Sequence, residues 1–145
     1  MMARICAMRR LVLLPLMLAA MPAPAFAYTA AAVAGTWFGT GQPEDRSEMY
    51  IDHFLPNGAF RAQHRWCRQG KALDHAQSGR WSIKGNILTI HVETEAEVRV
   101  ARDDVYRITR LDAKRQTSIY LPANFTYNDH RVDEKFPMPP CDLTS

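Results

Sequence analysis

The sequence predicts an all-β fold, a single antiparallel meander barrel of about eight strands, and three observations lead to it. Beyond position 27, apolar residues recur at every second position in several segments, which is the period of a half-buried strand. Turn-forming residues return about every ten residues, and helical periodicity is weak. Strands with one apolar face and no covering helices bury that face by closing on themselves, which favours a barrel over a two-layer sandwich.

A secretory leader is predicted at residues 1–27. Arg4, Arg9 and Arg10 give it a positive start, "LVLLPLMLAAM" is a short apolar run, and "AFA" offers small residues for cleavage. The apolar run is shorter than the roughly 20 residues that a membrane-spanning helix needs. We therefore expect a secreted or periplasmic domain at residues 28–145, with no membrane span.

Loss of the leader would change the charge of the protein. The whole chain has 18 Lys and Arg and 15 Asp and Glu, and the leader holds three of the arginines. The remaining 15 positive and 15 negative side chains give a net charge close to zero. A domain without excess positive charge gives no reason to expect a nucleic acid as its partner.

Two cysteines, Cys67 and Cys141, remain after the leader. In an oxidising compartment such a pair predicts one disulfide, which would stabilise the fold by roughly 4 kcal/mol in the chain-entropy model. It would also fix the Pro-rich C-terminal tail "FPMPPCDLTS". The alternative is free thiols, although neither cysteine has the CxxC or helix-start context that lowers a thiol pKa.

The first predicted strands follow from "GTWFGTG" at residues 35–41 and from "FLPNGAF". In the second segment Pro56 presets a turn and Gly58 accepts a positive φ, so a strand near 47–55 should join one near 59–68. Alternation along the later strand places four residues on its inward face, namely Phe60, Ala62, His64 and Trp66.

The remaining elements include a second hairpin, "SGRWSIKGNILTIHVE", which turns at Gly85 and Asn86. Three further strands are predicted from "DVYRITRL", "TSIYL" and "NFTYNDHRV". Only "EAEVRVARDD" also fits a helix, because Glu and Ala favour one, although Val98 and Val100 fit a strand edge about as well.

The opening "GTWFGTG" resembles the G-x-W signature of lipocalin-like (calycin) barrels. "FLPNGAF" and "SGRWSIKGNILTI" resemble the successive hairpins of small bacterial lipocalin-like domains, and "DDVYRI" is similar to their later D-x-Y element. The resemblance implies that Trp37 closes one end of the barrel against a late-strand arginine, for which Arg107 and Arg110 are the candidates. Gly35 and Gly39 would let the chain curve sharply around it.

The same seven residues are also similar to the G-x-W-x-G-x-G opening of nitrobindin-like haem barrels, and "HAQSGRW" is similar to a histidine-containing strand of that family. This second resemblance implies a haem-binding alternative with His130 as its one candidate ligand. The charged surroundings in "NDHRVDEKF" differ from that family's pattern, so no cofactor is predicted.

An eight-stranded barrel is either filled by side chains or holds one small ligand. The predicted function is non-catalytic binding of a small apolar or amphipathic ligand, in a cavity lined by Phe60, His64, Trp66, Trp81 and Tyr106. The alternative is an envelope protein with a filled barrel that acts through its surface as an inhibitor or adaptor. That alternative would use an exposed row of arginines, Arg61, Arg65 and Arg68.

Three evenly spaced histidines, His53, His64 and His75, do not predict a metal site. Metal ligands on a sheet must share a face, and a slip of one residue in the "PNG" loop would turn His53 to the other side. His64 faces inward in either register, where it fits a hydrogen-bonded core residue better than a metal ligand.

No enzyme is predicted, because none of the candidate serines stands in a recognisable elbow or loop context; these are Ser47, Ser78, Ser82 and Ser118. Asp103 and Asp104 are adjacent and would point to opposite faces of a strand, so they cannot act as a pair. Asp52 would lie inward beside His64 in one of the two registers, which would orient a ligand head group or satisfy His64.

Overall fold

The computed structural model describes residues 27–41 and 47–141. A one-turn helix, α1 (Ala30–Val33), precedes eight strands: β1 (Gly35–Thr40), β2 (Glu48–Phe54), β3 (Ala59–Arg68), β4 (Lys71–Lys84), β5 (Ile87–Glu95), β6 (Val98–Leu111), β7 (Arg115–Tyr120) and β8 (Phe125–Val132). Each strand pairs antiparallel with the next, and β8 pairs with β1, so the sheet closes. The prediction of an all-β, eight-stranded meander barrel is confirmed, and the sandwich alternative is wrong.

The segment that also fitted a helix forms the start of β6. Ala96 and Glu97 make a tight turn with positive φ angles of 49° and 65°. Val98 then pairs with Glu95, and Arg102 with Val92, so this segment continues the ladder with β5. Pairing with a neighbouring strand outweighs the helix propensity of isolated Glu and Ala residues.

The turns collect at two ends because successive strands run in opposite directions. The lower end carries α1 and the turns at residues 55–58, 85–86 and 112–114. The upper end carries the turns at 69–70, 96–97 and 121–124. The parts of the interior next to these ends are called the lower half and the upper half below.

The lower half holds the hydrophobic core. The buried side chains that pack together there are Val33, Trp37, Phe54, Phe60, Ala62, Trp81, Leu88, Ile90, Val92 and Ile108. Most of them sit at alternate positions of their strands, as expected for one buried face of a pleated sheet. Burying a large apolar side chain contributes about 1.5–3 kcal/mol, so this half carries much of the stability of the fold.

Trp37 closes the lower end and is fully buried. Its indole Nε1 donates to the Val33 carbonyl at 2.8 Å, which ties α1 under the barrel. The Arg131 guanidinium lies over the indole, 4.1 Å from the ring centroid, and donates to the carbonyls of Ala32 and Ala34 at 2.7 Å each. This cation–π contact completes the closure.

The arginine on Trp37 therefore differs from the predicted ones. Arg131 belongs to β8 and pairs directly with Trp37 across the β1–β8 ladder. Arg107 and Arg110 are exposed on β6, which does not neighbour β1. The pairing of β1 with β8, which closes the barrel, brings an arginine under the indole. The "DDVYRI" element on β6 does not.

Two glycines of the opening stretch make room for particular side chains. Gly35 has a φ of 138°, and a Cβ atom there would overlap the Arg131 guanidinium. A Cβ atom on Gly39 would overlap the Tyr50 ring and the Asp129 carboxylate. Glycine therefore stands on both sides of Trp37 because a larger residue would collide with Arg131 at position 35 and with Tyr50 and Asp129 at position 39.

Residues 133–141 cross the outer face of the barrel from the lower end towards the upper end. The predicted disulfide between Cys67 and Cys141 is present, with the two Cα atoms 5.3 Å apart. Nη1 of Arg65 donates to the carbonyl of Pro139 at 2.9 Å. The tail is thus fastened to β3 by a covalent bond and by a hydrogen bond.

Two outward residues of β2 are buried, and the tail packs beside one of them. Met49 and Ile51 alternate with the inward residues of β2, yet they are only 0% and 1% exposed. Phe136 of the tail packs on Phe38, the partner of Ile51 in the β1–β2 ladder, with ring centroids 5.1 Å apart. The tail gives β2 a second apolar contact outside the barrel.

The predicted leader lies outside the described residues, except for Ala27, and so does the end of the tail at residues 142–145. Within residues 27–41 and 47–141, no helix has the length and apolar character to cross a membrane.

Candidate functional site

A cavity of about 70 Å³ lies inside the barrel above the hydrophobic core. Core side chains form its apolar part: Phe54, Phe60, Leu88 and Ile90. Its other walls carry side chains with polar atoms: Glu48, Tyr50, Asp52, His64, Gln77, Asp104, Tyr106, Gln116, Ser118, Tyr127 and Asp129. The cavity is therefore the place where an apolar interior gives way to a polar and acidic one.

The register of β2 and β3 decides which residues of β2 face this cavity. Phe54 pairs with Phe60 across the "LPNGA" turn, and Asp52 pairs with Ala62. Asp52 therefore lies inward, in the register that also brings it near His64. His53 lies on the outer face, where its Nδ1 is 3.0 Å from the Thr36 hydroxyl.

Three of the five predicted ligand-binding residues line the cavity, namely Phe60, His64 and Tyr106. Trp66 lies at the upper end of β3 and is 36% exposed, so it sits at the rim. Trp81 is buried in the lower half, where its Nε1 donates to the carbonyl of Leu55 at 2.9 Å. Alternation gave the correct face for both tryptophans but not their height along the barrel.

Most of the polar lining was missed from the sequence, including Tyr50, Tyr127 and Asp129. A usable signal is present in "EMYIDHF", because Glu48, Tyr50 and Asp52 alternate in phase with Phe54. Because acidic residues ordinarily face water, this alternation alone does not predict an inward Glu48.

His64 is anchored on the wall of the cavity by Glu48, whose Oε1 lies 2.9 Å from its Nδ1. The ring stacks on His75 with centroids 4.7 Å apart, and His75 lies 4.5 Å from the Trp66 ring. Burial lowers the pKa of His64, but the hydrogen bond to Glu48 and the charge of Asp52 outweigh it, so the net pKa shift is upward. Burial, with a smaller effect of His64, lowers the pKa of His75.

A buried hydrogen bond joins Tyr50 to Asp129. The Tyr50 hydroxyl donates to Asp129 Oδ1 at 2.6 Å, and Gln116 Nε2 is 3.4 Å from the other carboxylate oxygen. Burial raises the pKa of Asp129 to about 6, although these two donors oppose it. Burial and the nearby Asp129 carboxylate also raise the pKa of Tyr50 well above its ordinary value.

Asp52 has no such partner. Its carboxylate lines the cavity, and no donor among the described residues makes a hydrogen bond to it. Burial raises its pKa to about 7, and the charge of His64 offsets this only in part. A carboxyl group in this state readily accepts a proton or a cationic partner.

Asp104, by contrast, has a positively charged partner in the wall of the barrel. Arg102 Nε lies 3.1 Å from its Oδ1, and the Tyr120 hydroxyl donates to the same oxygen at 3.2 Å. Arg102 also pairs with Glu95 at 2.8 Å. Asp103 points outward, as alternation predicts, and lies 2.6 Å from His91 Nδ1.

The site does not fit a haem. His130, the one candidate ligand, is exposed on the outer face of β8, next to the inward Asp129. The cavity of about 70 Å³ is also well below the scale of about 300–1,000 Å³ usual for cofactor pockets. Within the described ranges, no group of three or more His, Cys, Asp or Glu residues is arranged to hold a metal ion.

The outer surface offers a wider groove of about 900 Å³, beside residues 131–134 and including His53 and Arg61. Of the predicted arginine row, only Arg61 lines this groove, and the row is only partly free. Arg65 is held by Asp74 at 2.6 Å and by the tail, whereas Arg61 and Arg68 are exposed.

Comparison of the chain with protein-family models and with curated protein sequences gives no match. The closed eight-stranded barrel is compatible with the lipocalin-like resemblance of the opening stretch, and that kinship stays a prediction.

Proposed function

We propose that this protein binds one small amphipathic ligand in the upper half of its barrel, without converting it chemically. The observation that carries the proposal is a cavity lined by polar atoms that lack partners. Within the described chain, Gln116 Oε1 and His64 Nε2 are buried without a hydrogen-bond partner. Such atoms cost about 1–3 kcal/mol each when left unsatisfied, which a bound ligand would recover.

The rim of the barrel supports an apolar part of the ligand. Three large apolar side chains are exposed at or near the upper end, with exposed fractions of 36% for Trp66, 55% for Leu73 and 63% for Val98. A row of ring contacts connects the rim with the cavity: Trp66 contacts His75, and His75 stacks on His64, which lines the cavity. A ligand with an apolar tail at the rim and a polar head in the cavity matches both surfaces.

The non-catalytic part of the proposal rests on the hydrogen bonds of the histidines. An activated nucleophile needs a hydroxyl or thiol bonded to a base. The hydroxyl–histidine pair Thr36–His53 lies on the outer face of the barrel, away from the cavity. In the cavity the Tyr50 hydroxyl is bonded to the Asp129 carboxylate, but burial raises the pKa of this tyrosine well above its ordinary value, which is the opposite of activation.

The proposed compartment is the periplasm or the exterior of the cell. The leader sequence supports it, and so does the Cys67–Cys141 disulfide, because disulfides persist where the environment is oxidising.

The test uses NMR spectra of the protein titrated with hexan-1-ol and with n-hexylamine as amphipathic probes. The chain has three tryptophans, so each indole N–H gives one resolved signal. We expect saturable shifts of the Trp66 indole and of the Gln116 amide, with Trp37 and Trp81 unchanged as internal controls. If neither probe shifts the Trp66 and Gln116 signals, the ligand-binding proposal is wrong.

A second candidate, an envelope protein that acts through its surface, is favoured by the small volume of the cavity and by the exposed Arg61 and Arg68. The same titration separates the two, since a surface protein would leave the Gln116 signal unchanged. Charge reversal at Arg61 and Arg68 would then be expected to alter its association with its partner, and not its folding.

A further inference from the structure

Three tyrosines, Tyr50, Tyr106 and Tyr127, form a cage around the cavity. The Tyr127 ring lies 5.8 Å from each of the other two, at interplanar angles of 68° and 78°. All three rings line the cavity. Electron-rich rings set nearly perpendicular around one space are the arrangement that attracts organic cations through their π faces.

The acceptors in the cavity lack donors. Gln116 is 3% exposed, and its Oε1 has no partner among the described residues. Asp52 contributes a carboxylate that no described donor reaches. Amide oxygens and ionised carboxylates accept hydrogen bonds and do not donate them, so a group that carries N–H or O–H bonds would satisfy both.

The charges in the cavity point to a positive group. Two of its four carboxylates have cationic neighbours, since Arg102 pairs with Asp104, and His64 with Glu48. Asp52 feels the charge of His64 but makes no ion pair with it, and Asp129 is held by two neutral donors. A cation between them would offset the cost of burying negative charge.

The volume limits the size of that cation. On the same measure of cavity volume, one buried water needs about 10–15 Å³. A cavity of about 70 Å³ therefore holds only a few non-hydrogen atoms. An ammonium group and its first carbons fit, whereas a whole drug-sized molecule does not. Any further carbons would extend towards the rim at Trp66 and Leu73.

We propose that the upper cavity binds the protonated head group of a small primary amine, held by the Asp52 carboxylate and Gln116 Oε1 within the cage of Tyr50, Tyr106 and Tyr127. This inference rests on the proposed function and names the chemical class of its ligand. A quaternary ammonium ion would also suit the rings, but it has no N–H bond for Gln116 or Asp52.

The test compares three probes with the same tail, n-hexylamine, hexan-1-ol and hexyltrimethylammonium, by calorimetry and by NMR at pH 8. Alkylamines are protonated at this pH, as lysine is, because their pKa lies near about 10.4. We expect the amine to bind at least about tenfold more tightly than the alcohol and the trimethylammonium ion. Asp52→Asn should weaken binding of the amine by about tenfold or more and leave binding of the alcohol unchanged.

Asp103→Asn is the matched control, because it removes the same charge from the outer face of β6 and should change neither affinity. The affinity for the amine should also fall by about tenfold or more between pH 8 and pH 5, as the carboxyl that binds it takes up a proton. The titratable groups that face Asp52 are Glu48, His64, Asp129, Tyr50, Tyr106 and Tyr127. This pH series needs no variant, so it holds even if Asp52→Asn does not fold.

The outcomes separate the two proposals. Equal affinities for the amine and the alcohol would overturn the cationic head group and leave ligand binding standing. Tighter binding of the trimethylammonium ion would overturn the primary amine in favour of a cage for quaternary ions. Binding of none of the three probes would overturn the proposed function itself.

Discussion

The lower and upper halves of the interior are built from the same strands but from different side chains. On β2, Phe54 packs in the lower core, whereas Asp52, Tyr50 and Glu48 line the upper cavity. Below, Trp37 is fully buried with its one donor satisfied. Above, no described donor makes a hydrogen bond to the Asp52 carboxylate, and Gln116 Oε1 is buried without a partner, so the lower half stabilises the fold and the upper half costs stability. A costly arrangement of this kind is typical of a binding site.

The largest expected effect comes from the tryptophans that stand at the two ends. Trp37→Ala should lower the free energy of unfolding by about 3–5 kcal/mol, because it removes a buried ring and its contacts with Arg131 and Val33. Trp66→Ala is the matched variant at the rim and should cost less than about 1 kcal/mol. Urea denaturation measures both. Similar losses for the two variants would remove the contrast between the ends.

Next in size is the pH dependence of stability, which the upper half should dominate above pH 5. Asp52 and Asp129 have folded pKa values of about 7 and about 6, well above those of unfolded aspartates. The folded protein therefore holds protons that the unfolded chain has released, and stability is lost as pH rises. We expect the free energy of unfolding to fall by about 4 kcal/mol between pH 5 and pH 8.

Urea denaturation at several pH values checks this slope. The raised pKa of His64 adds to it, and the lowered pKa of His75 opposes it below neutrality. Asp52→Asn should remove about half of the decrease or more, while Asp103→Asn on the outer face should keep it. Stability that is constant or rises over this range would show that the carboxyls are not held protonated.

A smaller effect is expected where the two halves meet, at Gly39. Gly39→Ala should cost about 1–3 kcal/mol, because its methyl group would overlap the Tyr50 ring and the Asp129 carboxylate. The same substitution made in a Tyr50→Ala background should cost less than half as much, since the overlapping ring is gone. Equal costs in the two backgrounds, measured by urea denaturation, would mean that Gly39 serves the backbone alone.

The lower half was largely predictable from the sequence. Glycine and proline turns and apolar alternation fixed the hairpins, and β3 begins and ends within a residue of its prediction. The partner of Trp37 was not predictable in this way, because Arg131 reaches it through the ladder that closes the barrel. Local spacing carries no signal for a contact between the first and last strands.

The upper half was mostly missed for a different physical reason. Alternation tells which residues share a face, but polar residues on that face are ordinarily assigned to solvent. The sequence places Asp52 inward in only one of two registers, and it does not predict Tyr50, Tyr127 and Asp129 as part of the site. The position of Trp66 along the barrel axis is not predictable either, because periodicity does not show how far a strand extends beyond the rim.

The pKa of the Asp52 carboxyl in the free protein tests the contrast between the halves most directly. It can be measured by carbon-detected NMR titration of the side-chain carboxyl signal, assigned with the Asp52→Asn variant. The expected value is about 7, with a downward shift when n-hexylamine is bound. A value near the ordinary one of about 4 would mean that Asp52 is solvated or paired, and would contradict the unpartnered acidic cavity.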